Sequence, residues 1–400
     1  MKNCFLPADI LMPKNCSIED WSVIACDQYT SEPEYWDQIR QRVADVPSTL
    51  HMILPEAELG IDNTSKIDNI NRYMEKCLAD DVFTTYSNSF VYVERTLCSG
   101  AIRQGVVGMV DLEYYGNPDG PMAGILATEQ TVPERIPPRV KIRENAALEF
   151  THTVIFCDDP LESLIGSLAA QKDQLTKLYD FDLMTNGGHI SGWLVDGDHA
   201  RLFKSAIDLY EEENVYLVGD GNHSLLTAKR CYEQQRKNVP EEQWAALPSR
   251  YALIELENIH SPAMVFEPIY RVITHTDPQK LLDDLSEIRG ENGIPVEIVT
   301  ETSSLMVQIQ VPQGKLITEV LQNFLDKWLE VHPGSIDYIH GEQVVRDLVC
   351  VPDAIGFILP QIDKGMLFPY VRSGKITPRK TFSIGHSSEK RYYLEGRKIV

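Results

Sequence analysis

The sequence predicts an α/β fold, with α+β as the alternative, in which a mixed sheet is flanked by helices. Short apolar runs typical of strands alternate along the 400 residues with amphipathic stretches typical of helices. A chain of this length can bury two or three hydrophobic cores. We therefore expect two to three subdomains: an N-terminal α/β region (1–122), a central region (123–260) and a C-terminal α/β region with a basic tail (261–400).

The N-terminal region begins with helices and continues with strands. Apolar residues recur at helical spacing over 33–43 and 67–77. Apolar runs at 89–95 and 102–112 predict two strands, which turn residues at 98–100 separate. We expect this pair to be antiparallel, because so short a connection cannot cross over.

The rest of the chain continues the alternation. We expect a strand at 153–156, a helix at 161–178, a hairpin of strands 189–195 and 199–203, a strand at 215–218 and a helix at 225–236. Further along we expect strands at 251–256, 305–311 and 354–359, and helices at 278–287 and 317–329. These elements supply the predicted mixed sheet and its flanking helices.

The charge balance argues against nucleic acid as a partner. The chain has 37 Lys and Arg against 59 Asp and Glu, a net charge of −22, whereas a nucleic-acid surface needs a basic face. No apolar run approaches the ~18 residues that span a membrane, and the first residues lack a hydrophobic leader. We therefore expect a cytoplasmic protein that acts on a small molecule; a homo-oligomer is left open.

The segment 219–224, Gly-Asp-Gly-Asn-His-Ser, is the sharpest motif in the chain. It lies between a predicted strand and a predicted helix, where backbone N–H groups and the positive end of the helix dipole meet. Gly219 and Gly221 allow a positive φ or a close ligand, while Asn222 and Ser224 can donate hydrogen bonds. The turn is typical of a phosphate site. The alternative is a structural turn in which Ser224 only caps the helix.

Asp220 and His223 are the two residues of this turn that we expect to be catalytic. A carboxylate repels a phosphate unless a divalent cation or a proton lies between them, so the motif predicts Mg²⁺ with Asp220 as its ligand. A histidine titrates near neutral pH, so His223 is expected to act as general acid or base or to donate to a phosphate oxygen. In the structural alternative, His223 is a buried, hydrogen-bonded side chain.

The motif at 220–223, followed by an amphipathic helix, resembles the Asp-Gly-His-His-Arg motif of an uncharacterised family, domain of unknown function number 1015, whose members are often labelled ParB-like. The segment 128–131, Thr-Glu-Gln-Thr, resembles that family's His-Glu-x-Thr segment, and 378–382 resembles its closing Pro-x-Lys-Ser/Thr motif. The resemblance covers most of the chain in the expected order. It implies that four further residues belong to the ligand site: Glu129, Thr131, Lys380 and Thr381.

The chain departs from the family pattern at three positions. Thr128 and Asn222 stand where the family usually has His, and Ser224 stands where it has Arg. The Asp-Gly-x-His pattern is also similar, more remotely, to the phosphate-binding turn of the ParB and sulfiredoxin superfamily. That superfamily includes CTP-binding partition proteins, an ATP-using sulfinic acid reductase and a free serine kinase. Because Ser cannot replace a planar, bidentate phosphate donor, another cation must supply the charge.

A basic segment before the central strands offers such cations. Arg139 and Arg143 recur four residues apart in an otherwise acidic chain, and Lys380 is a further candidate. The alternative for the arginines is ion pairing with nearby glutamates such as Glu149. The basic tail after residue 375 either completes an anion site or docks onto acidic groups.

Together these patterns predict an enzyme that binds a nucleotide or another phosphorylated small molecule with Mg²⁺ at the turn and catalyses phosphoryl transfer or hydrolysis. The alternative is a non-catalytic protein that senses a nucleotide or phosphometabolite through the same turn. A DNA-partition function, which the ParB label suggests, is disfavoured by the net charge and by the lack of a clear helix-turn-helix.

Overall fold

The computed structural model describes residues 3–26, 29, 32–55, 58, 63–116 and 124–400. The chain divides into two compact units: unit 1 contains Met1–Met264 and Gly385–Val400, and unit 2 contains Val265–Ile384. The predicted fold class is confirmed, since the structure contains a large mixed sheet with flanking helices and, in addition, smaller antiparallel sheets. The division into three regions stays a prediction, and its first boundary, at 122–123, lies outside the described residues.

Unit 1 is built around one mixed sheet. Its strands are β1 (Phe5–Leu6), β2 (Ala8–Pro13), β3 (Phe83–Thr96), β4 (Ile102–Asp111), β5 (Ile125–Leu126), β6 (Leu148–Phe150), β7 (Thr153–Cys157), β8 (Thr176–Asp182), β9 (His189–Val195), β10 (Tyr216–Asp220), β11 (Tyr251–Asn258) and a C-terminal strand, Gly396–Lys398. The helices are α1 (Ile18–Trp21), α2 (Pro33–Arg42), α3 (Thr64–Ala79), α4 (Ile136–Arg143), α5 (Ile165–Ala169), α6 (Gly197–Glu213) and α7 (Asn222–Gln235).

The order of the strands places the glycine turn near one edge of this sheet. Along the sheet β5 is followed by β10, β7, β11, β4, β3, β2, the C-terminal strand and β6. β10 is parallel to β5 and antiparallel to β7, while β7 and β11 are parallel. The predicted antiparallel pair is confirmed as β3 and β4, in which Arg95 faces Arg103.

Both faces of the sheet are covered. Along β4, Val106 and Val110 belong to one hydrophobic core and Val107 to the other, as the two-residue period of a strand requires. Helices α5, α6 and α7 contribute to the first core, and α2 and α3 contribute to the second. Polar side chains inside unit 1 therefore need partners from the protein itself.

The helix predicted at 161–178 is wrong except over α5, which contains only Ile165–Ala169. α5 ends at Ala169, and the chain continues into β8, which pairs with β9. Tyr179 and Phe181 of β8 are buried, while Asp180 between them is exposed, which is the period of a strand. A partner strand thus decides the conformation of this stretch, and local periodicity does not reveal it.

The return strand predicted at 199–203 is also wrong, because α6 begins at Gly197. Ala200, Phe203, Ile207 and Tyr210 are buried at helical spacing, so a helix buries the apolar residues that a hairpin would divide between two faces. Asp198 lies in the first turn of the helix, where a negative charge is favourable.

Unit 2 contains two antiparallel sheets. Its strands are β12 (Phe266–Pro268), β13 (Tyr270–Thr274), β14 (Arg289–Thr300), β15 (Ser304–Ile309), β16 (Ser335–Ile339), β17 (Ile355–Ile358) and β18 (Phe382–Ile384); the C-terminal strand of unit 1 is β19. Its helices are α8 (Pro278–Asp284), α9 (Ile317–Leu329), α10 (Glu342–Leu348) and α11 (Leu367–Arg372). β12 pairs with β18, and the order of the larger sheet is β15, β14, β17, β13, β16.

The predicted helix at 317–329 is confirmed as α9, whose Leu321, Phe324 and Leu325 pack in the core of unit 2. The strands predicted at 305–311 and 354–359 are confirmed as β15 and β17. Within the described ranges, no helix combines the length and the apolar character that crossing a membrane demands.

Candidate functional site

The glycine turn joins β10 to α7. Tyr216, Leu217 and Val218 of β10 are buried, and the register against β7 shifts between Val218 and Asp220. α7 begins at Asn222, three residues before the predicted start. Asn222, His223 and Ser224 therefore form the first turn of the helix, where backbone N–H groups have no carbonyl partner within the helix.

Both glycines of the turn are required by close packing on β7. Gly221 is the N-cap of α7 at φ +87°, and a Cβ there would lie 2.7 Å from Thr153 Oγ1. A Cβ at Gly219 would lie 2.6 Å from the ring of Phe156. Any larger residue would push the turn away from the sheet, so the position of the turn depends on both glycines.

The start of α7 has the electrostatics of an anion site. No side chain caps the helix at Gly221, and the first turn contains no acidic residue. The helix dipole places partial positive charge at this end, and N–H groups of a first turn are donors for an anion. Ser224 is not the N-cap, contrary to the structural alternative for this residue.

Asp220 is held by two groups. Its Oδ1 accepts a hydrogen bond from the N–H of Gly221 at 2.8 Å, and its Oδ2 lies 3.1 Å from Nζ of Lys390. The Lys390 side chain is 13% exposed and that of Asp220 is 39% exposed, so the lysine is shielded from solvent while the carboxylate still reaches it. Lys390 thus offsets part of the negative charge of Asp220, the charge that led us to expect Mg²⁺ beside this turn.

Lys390 is a neighbour of Asp220 that the sequence did not single out. It is 170 positions from Asp220 and belongs to the C-terminal stretch that returns to unit 1. The sequence feature that points to Lys390 is the basic tail of an otherwise acidic chain. We expected this tail either to complete an anion site or to dock onto acidic groups. Lys390, Arg391 and Arg397 all pair with carboxylates of unit 1.

His223 faces the segment that precedes α4. Its Nε2 accepts a hydrogen bond from the N–H of Val132 at 2.9 Å. A nitrogen that accepts carries no proton, so the neutral ring holds its proton on Nδ1. The side chain is half-buried. It is therefore hydrogen-bonded, as the structural alternative expected, and retains one ring N–H.

Asn222 and Thr128 contact each other. Nδ2 of Asn222 donates to Thr128 Oγ1, and the N–H of Thr128 donates to Asn222 Oδ1, both at 3.3 Å. Thr128 Oγ1 in turn donates to the carbonyl of Val218 at 2.6 Å. Two departures from the family pattern thus lie side by side. The side chain of Asn222 is engaged in fixing the segment that begins at Thr128.

Glu129 and Thr131 lie between two residues that are bound to the first turn of α7. Thr128 contacts Asn222 and Val132 contacts His223, so the short stretch between them runs beside the turn. Glu129 and Thr131 are both half-buried. Two of the four residues implied by the family resemblance are therefore brought to the predicted site.

The two arginines of α4 differ in their surroundings. Nη2 of Arg143 donates to Glu149 at 2.6 Å, and Glu149 also pairs with Arg397. Burial alone raises the pKa of Glu149, but these two guanidinium groups hold it below the ordinary value. Arg143 thus makes the ion pair with a glutamate that we gave as the alternative to phosphate binding. Nη1 of Arg139 donates to the carbonyl of Arg135 at 2.8 Å.

His152 is a further neighbour of the turn. Its Nδ1 lies 2.8 Å from the carbonyl oxygen of Phe150, to which it donates, and its ring stacks on Tyr393 at 4.8 Å between centroids. Burial lowers the pKa of His152, and the hydrogen bond to Phe150 and the carboxylates of Glu149 and Asp220 oppose that shift only in part. The ring is therefore neutral at physiological pH.

Lys380 and Thr381 belong to unit 2. Lys380 has φ +54°, and Oγ1 of Thr381 donates to the carbonyl of Pro378 at 2.6 Å. Their membership of the ligand site stays a prediction. Across the part of the chain that the structure describes, no three His, Cys, Asp or Glu side chains converge as a metal site.

The family model described as "Protein of unknown function (DUF1015)" matches residues 7–393. The chain belongs to the DUF1015 family. The family resemblance seen in the sequence is thereby confirmed, while the likeness to ParB gains no support from the comparisons. No curated protein matches this DUF1015 chain significantly.

Several solved structures are similar over most of the chain at low scores. SbnI with a C-terminal truncation, from Staphylococcus aureus, is 9% identical, with a TM-score of 0.38, and the match covers 70% of this chain and 82% of that one. A free serine kinase in complex with AMP is 11% identical, with a TM-score of 0.37 and coverages of 73% and 90%. A conserved hypothetical protein from Pyrococcus furiosus is 12% identical, with a TM-score of 0.34 and coverages of 73% and 94%. Similarities at this level assign no function to the DUF1015 chain.

Proposed function

We propose that unit 1 binds a nucleotide, or another phosphorylated small molecule, with a phosphate at the first turn of α7, and that it catalyses phosphoryl transfer or hydrolysis there. The observation that carries the proposal is the start of α7, which has a left-handed glycine N-cap, no side-chain cap and a lysine ammonium beside it. Backbone N–H groups, the helix dipole and Lys390 all favour an anion at this place.

Lys390 supplies the charge that Ser224 cannot. The family motif has Arg at the position of Ser224, and a serine hydroxyl offers one donor and no charge. An ammonium that already lies 3.1 Å from Asp220 can bind a phosphate oxygen as a point charge. Arg139 is the second cation of the proposal, because it lies on α4, which follows the segment that contacts His223.

His223 and Asp220 are the proposed catalytic residues. His223 donates a hydrogen bond from Nδ1 to a phosphate oxygen, and the contact between Nε2 and Val132 fixes its ring. Asp220 positions Lys390 and, in the proposal, is the protein ligand of a nucleotide-bound Mg²⁺. Mg²⁺ is usually held by one or two carboxylates together with phosphates and water, so a single Asp fits this role. Mg²⁺ would draw charge from the transferred phosphoryl group.

Titration calorimetry with ADP and ATP, with and without Mg²⁺, tests the binding step. We compare the wild type with His223→Ala, Lys390→Met and the matched control Lys14→Met, which breaks a surface Lys–Asp pair elsewhere in unit 1. Because hydrogen bonds to charged groups contribute about 1.5–3 kcal/mol, Lys390→Met should weaken binding about tenfold or more, and Lys14→Met should not. Equal affinities in wild type and Lys390→Met, or no binding by the wild type, would refute the proposal.

Turnover separates the enzyme from a sensor. If the proposal holds, wild type releases phosphate from ATP or transfers it to an added small molecule, and Asp220→Asn binds ATP but loses turnover. A wild type that binds ATP without any turnover supports the alternative, a non-catalytic nucleotide or phosphometabolite sensor. Phosphate release and a screen of small-molecule acceptors are the measurements.

A further inference from the structure

A group of buried charges lies on one face of the sheet of unit 1. Arg95 faces Arg103 across β3 and β4, and Glu257 faces Gly105, two residues along β4, so their side chains share that face. Residues of the C-terminal stretch cover them. We call the following residues the arginine–glutamate cluster: Arg95, Arg103, Glu255, Glu257, Glu389, Arg391 and Glu395.

Most of the cluster is fully paired. The guanidinium of Arg95 donates to backbone carbonyls, among them Gly187 and Lys390. Arg391 pairs with Glu255 and with Glu395, and the latter also accepts from the Tyr179 hydroxyl. These contacts hold the C-terminal stretch on the sheet. Nε of Arg391 makes no hydrogen bond within the described part of the chain but lies in ion-pair contact with the carboxylate of Glu255, which occupies that side of the guanidinium.

Arg103 is different. Its Nη1 donates to the carbonyl of Glu389 at 2.8 Å, but its Nε and Nη2 have no hydrogen-bond partner among the described residues. Glu257 Oε2 is 3.8 Å from Nε, and Glu389 Oε2 is 3.7 Å from Nη2, both beyond hydrogen-bond reach. Glu257 Oε2 also lacks a partner among these residues. The Arg103 residue is only 6% exposed.

The two unused donors form the side of the guanidinium that recognises oxyanions. Nε–H and Nη2–H point in the same direction, and such an edge binds two oxygens of a carboxylate or phosphate at once. A buried donor without an acceptor costs free energy. A ligand oxyanion in front of this edge would remove that cost.

We propose that the Nε and Nη2 edge of Arg103, together with Glu257, is a buried subsite for the oxyanion group of a small ligand, either a carboxylate or a phosphate. The subsite is separate from the turn of α7, and the proposal does not depend on a nucleotide there. Asp220 and Glu255 both pair with Val154, and Glu255 pairs with Val107 of β4, four residues from Arg103. Three strand spacings and four residues along β4, roughly 20 Å between backbones, therefore separate Asp220 from Arg103.

The charges around Arg103 couple this subsite to a proton. The cluster contains three arginines and four glutamates, so an added anion is favourable only if one carboxylate is protonated. Glu257 is that carboxylate. Burial raises its pKa to about 7, and Glu255 adds to the shift, while Arg103, Arg391 and Arg95 oppose it. An oxyanion at Arg103 accepts the proton of neutral Glu257 as a hydrogen bond.

Glu389 controls the approach to Arg103. Its side chain is 17% exposed, whereas that of Arg103 is 7% exposed, so Glu389 lies on the outer side. Its carboxylate is near Nη2 and carries the same charge as the proposed ligand. Glu389→Gln should therefore strengthen oxyanion binding.

The test uses acetate and inorganic phosphate as probes on the full chain, with chloride at equal ionic strength as the salt control. Binding is followed by thermal shift between about pH 6 and pH 8.5, a range in which acetate stays ionised while Glu257 titrates. The wild type should bind one probe saturably, and acetate binding should tighten at the lower pH; phosphate is compared at one fixed pH, because its own charge changes across this range. Since phosphate also has a proposed site at the turn of α7, the ligand class is assigned by the probe whose thermal shift Arg103→Lys reduces more: acetate for a carboxylate ligand, phosphate for a phosphorylated one.

The variants decide whether Arg103 and Glu257 hold the probe. Arg103→Lys keeps the positive charge but loses the planar pair of donors at Nε and Nη2, so it should weaken binding about tenfold. Glu257→Gln should keep binding and remove its pH dependence, Glu389→Gln should strengthen it, and the surface control Lys14→Met should change nothing. No saturable shift in the wild type, or the same affinity in Arg103→Lys, would overturn the proposal, whatever ADP and ATP do at the turn.

Discussion

The turn of α7 and the arginine–glutamate cluster lie on the same sheet, but they use their polar groups in opposite ways. At the turn, a local sequence motif leaves the backbone N–H groups of the helix start without a side-chain cap, and the Asp220 side chain is 39% exposed. In the cluster, side chains from three parts of the chain are buried and largely bonded to each other. The difference indicates that the paired residues of the cluster hold the C-terminal stretch in place, with Arg103 and Glu257 as the exception, while the turn leaves its backbone donors for a ligand.

The largest effect on stability is therefore expected in the cluster. Arg391→Met leaves Glu255 and Glu395 buried without their guanidinium, and breaking such a pair costs about 3–5 kcal/mol. Lys14→Met, in contrast, breaks an exposed pair and should cost below about 1 kcal/mol. Chemical denaturation measures both free energies of unfolding. If both variants lower the free energy of unfolding equally, the cluster does not hold the C-terminal stretch in place as we describe.

A smaller loss is expected at the turn itself. Gly221→Ala places a Cβ 2.7 Å from Thr153 Oγ1 in a left-handed backbone, and such strain costs about 1–3 kcal/mol. Gly100→Ala is the matched control, because Gly100 has φ +83° with nothing within 4 Å of the added Cβ. Gly221→Ala should lose more stability than Gly100→Ala. Equal losses in denaturation would show that packing on β7 does not position the turn.

A pH dependence of stability is expected from Glu257. Burial raises its pKa from 4.5 to about 7, so the folded state keeps a proton that the unfolded state has lost. The stability from this group is complete below about pH 4.5 and is lost as the pH rises to about 7. Against Glu257→Gln, the wild type should lose stability across this window. Parallel profiles of the two proteins would contradict a buried, protonated Glu257.

The turn could be predicted from the sequence because its chemistry is local. Glycine spacing, the apolar strand before it and the amphipathic helix after it are all contained in residues 215–236. The same holds for α9, whose periodicity is strong. The contact of Thr128 and Asn222 could not be derived from spacing, although the family resemblance pointed to both segments.

The cluster and Lys390 could not be predicted, because their partners come from distant segments. A lone Arg103 in a strand pattern looks like an exposed residue, and only the covering C-terminal stretch buries it. The errors at 161–178 and 199–203 have the same origin. Pairing of β8 with β9 and packing of α6 on the sheet outweigh local propensity there.

The most direct test of the account is hydrogen–deuterium exchange at the first turn of α7, with and without saturating ADP and Mg²⁺. If the backbone N–H groups of Asn222, His223 and Ser224 bind a phosphate, exchange in this turn should slow on binding, and Lys390→Met should reduce that protection at equal ADP. The account would be contradicted if ADP binds saturably but slows exchange only in other segments and leaves exchange in this turn unchanged.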